Sequence, residues 1–246
     1  MINLKIPVGI SDFEKIRKNQ YYFVDKSGLI EELLNTESNE VTLITRPRRF
    51  GKTLGMSMLA SFFDIRRDSS ELFRGLKISQ KEELCQKWMN QYPVLFVTFK
   101  DVDGLDFQSA KEMLRIQIAD RCNEYLCLIS SEKVNENDKA IFRQLADVVK
   151  GDVSDAMLKT GIALIMRMLQ DYYEKPVILL LDEYDVPLAK ASAHGYYAEM
   201  LEVMRAMIST ALKDNPSLHA DMVVLAIGVT PDTTLAKEAG LELGIK

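Results

Sequence analysis

Short apolar runs alternate with longer amphipathic segments along this chain of 246 residues. Helical spacing of apolar residues predicts helices over 54–62, 106–150, 154–174 and 198–213. Four compact apolar runs predict buried strands: EVTLIT (40–45), YPVLFVTF (92–99), KPVILLLDEYD (175–185) and ADMVVLAIGV (220–229). Strands that alternate with helices favour an α/β fold with a mainly parallel sheet.

Composition and charge argue against several classes of protein. The chain is 47% hydrophobic and 27% charged, and no run approaches the roughly 18 apolar residues of a membrane-spanning helix. Its amino terminus lacks the apolar core of a signal peptide, so we expect a cytoplasmic protein with no membrane partner. The net charge of −5 gives no global basic field, and direct nucleic-acid binding is not expected.

The first candidate motif follows the first predicted strand. A P-loop reads G-x-x-x-x-G-K-[ST] between a strand and a helix, and Gly51, Lys52 and Thr53 match its second half. Arg46 occupies the position of the first glycine. In a P-loop, backbone N–H groups and the lysine bind phosphate, and the threonine hydroxyl ligates Mg²⁺. A surface Gly-Lys-Thr at the start of a helix also occurs by chance.

The second candidate motif lies at the end of the run VILLL. Asp182 and Glu183 follow this run in the arrangement of a Walker B motif, in which the first acid binds Mg²⁺ and the second polarises the attacking water. Alternatively, Asp182, Glu183 and Asp185 cap the strand in solvent. That alternative does not explain why two halves of an ATP site follow two strands in the expected order, so the sequence predicts an ATP site.

Several segments together resemble the AAA-ATPase-like family of bacterial proteins, over about residues 4–219. They are IPVGISDFEKIRKNQYYFVDKSGLI, LITRPRRFGKTLGMSMLASFFD, ELFRGLKIS, YPVLFVTF and VILLLDEYDVPL. Members carry an R-P-R-R-F-G-K-[ST] loop, and many continue into a PD-(D/E)XK nuclease-like domain. The resemblance implies a P-loop NTPase three-layer sandwich with a mainly parallel sheet of about five strands. It would belong to the additional-strand class, whose P-loop and Walker B strands flank an intervening strand, here the final one.

The resemblance also implies ATP and Mg²⁺ as ligands and assigns the site residues. Thr53 and Asp182 would bind the metal, and Lys52 and Glu183 would act in catalysis. The nucleotide would contact the loop and the start of the helix: Arg48, Arg49, Phe50, Gly51, Lys52, Thr53 and Leu54.

Two further elements of the family have no fixed role. One hypothesis is that Arg48 or Arg49 adds phosphate contacts that offset the missing glycine, and the alternative is that both arginines pair with acids or face solvent. Residues 23–27 match a Tyr-Val-Asp-Lys-[ST] element of the family. One hypothesis places this element near the nucleotide base.

The tail resembles a different family, the FAD-dependent pyridine nucleotide-disulfide oxidoreductases. The matching residues in 220–246 are Asp221, Gly228, Pro231, Asp232, Thr233 and Leu235. The chain has no G-x-G-x-x-G and no C-x-x-C, so we do not expect a flavoenzyme. We expect a truncated AAA-ATPase-like domain over 1–219, and a foreign tail over 220–246 that supplies one strand and a terminal helix.

These patterns predict an ATP-binding P-loop protein with Mg²⁺-dependent ATPase chemistry. Because the tail would replace the family's sensor elements, we expect nucleotide binding to survive better than turnover. The alternatives are a non-hydrolysing nucleotide-binding switch or interaction module, an inactive remnant, and a nucleic-acid-handling protein. The sequence leaves protein partners and oligomeric state open.

Overall fold

A single parallel sheet organises the computed structural model of the protein, which describes residues 5–35, 41–45, 51–149, 153–213 and 222–227. The strands are β1 (Val41–Thr45), β2 (Val94–Thr98), β3 (Ile178–Asp182) and β4 (Met222–Ile227). They lie in the order β1-β4-β3-β2, and every neighbouring pair is parallel. The four predicted strands and the parallel sheet are confirmed. The prediction of about five strands is not supported, because the described residues contribute four.

The helices fill the intervals between the strands and are longest where the apolar periodicity is longest. Local capping fixes the start of the two longest helices, because Asp106 accepts a hydrogen bond from the Ser109 N–H and Ser154 accepts one from the Met157 N–H. The helices are α1 (Phe13–Lys18), α2 (Gly28–Leu34), α3 (Lys52–Phe63), α4 (Ser70–Phe73), α5 (Glu82–Trp88), α6 (Phe107–Glu124), α7 (Glu136–Ala146), α8 (Asp155–Tyr173), α9 (Val186–His194) and α10 (Tyr197–Lys213).

Helices cover both faces of the sheet. Alternate residues of each strand point to opposite faces, so Ile178 and Leu180 pack with α3 and the amino-terminal helices. Leu179 and Leu181 pack into a second core with α6, α8 and α10. All five residues of β3 are buried, which explains why its sequence is a continuous apolar run. None of the helices in the described part of the chain is long and apolar enough to cross a membrane.

β4 lies between β1 and β3, as the sequence predicted for the final strand. Leu43 pairs with Leu225, and Leu181 pairs with Leu225 from the other side. Because all pairs are parallel, the carboxyl ends of the strands meet at one edge of the sheet. The residues that follow β2 and β3 therefore share a common surface.

Candidate functional site

A cleft of about 810 Å³ opens at this edge of the sheet. One wall is the start of α3, residues 51–54, and another is the segment that follows β3, with Glu183, Asp185 and Val186. The remaining wall combines alternate residues of β2 with residues 9–11 of the amino-terminal segment. The cleft thus joins the two candidate motifs and falls within the range of volumes typical of small-molecule sites.

The start of α3 is built to present backbone N–H groups. Gly51 precedes the helix with φ +78°, a left-handed conformation that glycine adopts without steric cost. Gly51 has no side chain with which to cap the helix, and the first N–H groups of an α-helix have no acceptor within it. Lys52, Thr53 and Leu54 form its first turn and line the cleft. A helix amino terminus with such N–H groups and a lysine suits a phosphate.

Asp182, the last residue of β3, is fully buried and carries the most perturbed carboxylate of the site. Burial raises its pKa to about 6, and the neighbouring charge of Glu183 acts in the same direction. The Thr53 side chain and the charge of Lys52 lower that pKa in part. Even so, neither carboxylate oxygen receives a hydrogen bond of standard geometry from a described residue. A buried carboxylate without such partners is costly unless a ligand or metal compensates it.

The residues around Asp182 fit a magnesium ion. Mg²⁺ prefers oxygen donors and is usually held by one or two carboxylates together with substrate phosphates. The Asp182 carboxylate and the Thr53 hydroxyl are such donors, and they are neighbours, because the Thr53 side chain lowers the pKa of Asp182. Across the described ranges no group of three or more His, Cys, Asp or Glu residues could hold a metal on its own. A metal held by these two donors would complete its coordination with water or with phosphate oxygens of a ligand.

Glu183 lines the cleft from the turn that follows β3. Its backbone has φ +54°, a left-handed conformation that is unfavourable for a residue with a Cβ. This turn lets the chain pass from the buried strand into α9 while the Glu183 side chain stays partly exposed. Strain of this kind persists where the surrounding structure demands it, often at functional sites.

Sequence reasoning missed a third group of residues in the cleft, on β2. Thr98 pairs directly with Asp182 in the sheet, and the Phe99 N–H donates to the Asp182 carbonyl at 3.0 Å. Phe96, Thr98 and Lys100 all line the cleft. The sequence signal for this group is a polar residue at every second position after Phe96. Only the pairing of β2 with β3 shows that these residues lie on the side of the cleft.

The element at residues 23–27 lies against the start of α3. Asp25 accepts hydrogen bonds from the Ser27 and Lys77 N–H groups, each at 2.8 Å. Burial raises the pKa of Asp25, but these hydrogen bonds outweigh it and lower the pKa below its usual value. The Lys26 Nζ lies 3.4 Å from the position that a Cβ on Gly51 would occupy. The element therefore lies close to Gly51, at the start of α3, outside the cleft.

The structure describes only some of the predicted site residues. Arg46 and the predicted nucleotide contacts Arg48, Arg49 and Phe50 lie outside the described residues. The structure brings together Gly51, Lys52, Thr53, Leu54, Asp182 and Glu183.

Comparison with known proteins identifies relatives of the chain. It is 38% identical, over 98% of its length, to a protein of Azotobacter chroococcum mcd 1 described as "Uncharacterized protein in vnfD 5'region". The chain spans 40% of the length of that relative. No solved structure is significantly similar to it.

The family match also bears on the tail. The sequence model of the family described as "Predicted AAA-ATPase" matches residues 7–235, which runs past the predicted boundary at 219. The resemblance of residues 220–246 to FAD-dependent oxidoreductases has no support, since the family match continues to residue 235 and the relative aligns with 98% of the chain. The chain belongs to the family of predicted AAA-ATPases.

Proposed function

We propose that this protein binds ATP with Mg²⁺ in the cleft and hydrolyses it. The observation that carries the proposal is the convergence of Lys52 and Thr53 on Asp182 and Glu183 in one cleft. Family membership supports a nucleotide-binding, ATPase-like function. We further propose a P-loop NTPase fold of the additional-strand class, for which the support is the position of β4 between β1 and β3.

The residues of the cleft would divide the chemistry of phosphoryl transfer among them. Lys52 and the N–H groups of α3 would bind the β- and γ-phosphates. Thr53 and Asp182 would hold Mg²⁺, which neutralises charge on the phosphate oxygens when it is bound. Glu183 would orient the attacking water and accept its proton as general base. Arg48 and Arg49 are proposed as further phosphate contacts from the loop.

Calorimetric titration with Mg·ATP tests the proposal, using the wild-type protein, Lys52→Ala and a control. Lys15→Ala is a suitable control because Lys15 is exposed on α1 and lies outside the cleft. We expect wild type and Lys15→Ala to bind, and Lys52→Ala to lose at least about tenfold in affinity, because a charged phosphate contact is removed. Equal affinity in all three proteins would contradict the assigned phosphate site.

Measurement of phosphate release separates hydrolysis from a non-hydrolysing switch or interaction module. The proposal predicts steady release that requires Mg²⁺ and is lost in Lys52→Ala. Tight binding without release in wild type would favour the switch. Absence of binding by the folded wild-type protein would overturn the ATP proposal and leave an inactive remnant.

A further inference from the structure

Lys100 lies beside the proposed phosphate site although it belongs to neither candidate motif. Val94, Leu95, Val97 and Phe99 are buried, whereas Phe96 and Thr98 are half-buried and Lys100 is exposed. Leu95, Val97 and Phe99 pack into the core on the side of α6, so the alternate residues Phe96 and Thr98 face α3. Lys100, in the turn that follows β2, lines the same cleft as Lys52 and Thr53 at the start of α3.

The ammonium group of Lys100 is available for a ligand. It makes no hydrogen bond or ion pair with any residue in the described part of the chain. Three acids follow in its own loop: Asp101 is exposed, and the other two have partners of their own. Asp103 forms an ion pair with Lys190 at 2.9 Å, and Asp106 accepts a hydrogen bond from the Ser109 N–H at 2.8 Å.

The position of Lys100 relative to Asp182 indicates which part of a nucleotide it meets. Thr98 is the direct sheet partner of Asp182, and Lys100 follows Thr98 by two residues toward the open end of the cleft. Glu183 directly follows Asp182, beyond the end of β3, and lines the same cleft. A metal-bound phosphate at Asp182 with its attacking water at Glu183 would therefore present its outermost oxygens toward Lys100.

Charge gives a reason for a second lysine here. An ATP molecule carries about four negative charges at neutral pH, of which Mg²⁺ and Lys52 neutralise three. The cleft also contains the acids Glu183 and Asp185. A further cation at its open end would offset the remaining charge on the terminal phosphate.

We propose that Lys100 contacts the terminal phosphate of the nucleotide and makes the cleft distinguish a triphosphate from a diphosphate. This inference rests on the proposed function, because it assumes that phosphate binds at the start of α3. It adds a phosphate-binding residue from the turn after β2 to those of the two motifs.

The test compares Lys100→Gln with Lys100→Arg and with the control Lys15→Gln, which removes an exposed lysine outside the cleft. Calorimetry with Mg·AMP-PNP and with Mg·ADP measures the affinity of each variant without hydrolysis. We expect Lys100→Gln to weaken AMP-PNP about tenfold or more, because one charge-assisted contact is lost. ADP affinity should change by less than about threefold, Lys100→Arg should retain most of the discrimination, and Lys15→Gln should match wild type.

Each other outcome counts against the proposal. If Lys100→Gln weakens both nucleotides equally, Lys100 contributes only general positive charge and the assigned contact is wrong. If neither affinity changes, the side chain does not reach the ligand. Normal loss of binding in Lys52→Ala with no effect of Lys100→Gln overturns this inference alone. Failure of the folded wild-type protein to bind either nucleotide overturns the proposed function and this inference together.

Discussion

The Thr53 side chain, in the first turn of α3, lies beside the carboxylate of Asp182 at the end of β3 and partly counteracts the effect of burial on its pKa. Two segments that are remote in sequence thus meet as a hydroxyl and a carboxylate. Their meeting depends on the position of α3, which packs against β2, β3 and β4. The chemistry proposed for the cleft consequently depends on correct packing of one helix on the sheet.

Replacement of Glu183 by Gln tests the role of the general base. The amide keeps the size of the side chain but cannot accept a proton, so we expect phosphate release to fall by about 10²- to 10⁴-fold. The affinity for Mg·ATP should stay within about threefold of wild type, as measured by calorimetry. Glu132→Gln, at an exposed site outside the cleft, should behave as wild type. A full loss of turnover in Asp185→Asn, with normal turnover in Glu183→Gln, would reassign the base to Asp185.

The buried carboxylate of Asp182 should destabilise the metal-free protein at neutral pH. Its pKa is about 6 in the folded state against 3.8 for an ordinary aspartate, so the folded protein binds more protons between these pH values. The free energy of unfolding therefore falls as the pH rises from about 4 to about 6, and it stays lower above that range. We expect Asp182→Asn to raise it by about 1–3 kcal/mol at pH 7.5, from a shift of about two pKa units.

Urea denaturation in EDTA at pH 4.5 and pH 7.5 measures this effect. The gain in Asp182→Asn should be present at pH 7.5 and mostly absent at pH 4.5, where the wild-type carboxyl is largely protonated. Asp101→Asn provides an exposed acid as control and should show no such dependence. An equal gain at both pH values would mean that burial of charge is not the cause.

The left-handed backbone of Glu183 predicts an unusual order of stability between two variants. Glycine at φ +54° avoids the Cβ clash, so Glu183→Gly should be more stable than Glu183→Ala by about 0.5–1.5 kcal/mol. At an ordinary helical position the order is reversed, and Ala189→Gly in α9 should lose about 1 kcal/mol. Chemical denaturation of the three variants and wild type gives the comparison. A less stable Glu183→Gly than Glu183→Ala would contradict the strained conformation.

A fourth prediction concerns Gly104, in the loop that connects Lys100 with α6. A Cβ on Gly104 would overlap the backbone nitrogen of Ala110, and its carbonyl accepts a hydrogen bond from the Tyr196 hydroxyl at 2.6 Å. Because backbone atoms cannot move aside cheaply, Gly104→Ala should lower the free energy of unfolding by about 1–3 kcal/mol. Gly28→Ala is the matched control, since a Cβ there meets no atom within 4 Å. Equal stability of the two variants would exclude the predicted clash.

Much of the sheet could be predicted from sequence because its strands are locally distinct. The run VILLL is apolar at every position, as burial on both faces requires, and Gly51 and Lys52 mark the start of α3. Those signals depend on residues that are close along the chain. The number of strands was less predictable, since an apolar run does not reveal how many strands a sheet contains.

The contribution of β2 to the cleft could not be predicted in the same way. Thr98 and Lys100 are ordinary polar residues until the register with β3 places Thr98 opposite Asp182. Register between strands depends on packing of the whole sheet, and no local pattern records it. The sequence analysis also missed the helix α9, because the acids that precede it are typical of the end of a strand. The place of residues 9–11 in the cleft also depends on a contact between remote parts of the chain. Just after them, the Phe13 N–H donates to the Ser57 hydroxyl of α3 at 3.0 Å.

The central position of β4 has a consequence for the order of assembly during protein synthesis. Among the described strands, β1 pairs with β4 alone, although nearly the whole described chain separates them. At a synthesis rate of about 5–20 residues per second, β1 waits on the order of 10–35 s for its partner to be made. Closure of so long a loop is slow compared with local helix formation. The edge of the sheet that carries Gly51 is thus completed last, and the ability to bind a nucleotide would mark a fully assembled chain.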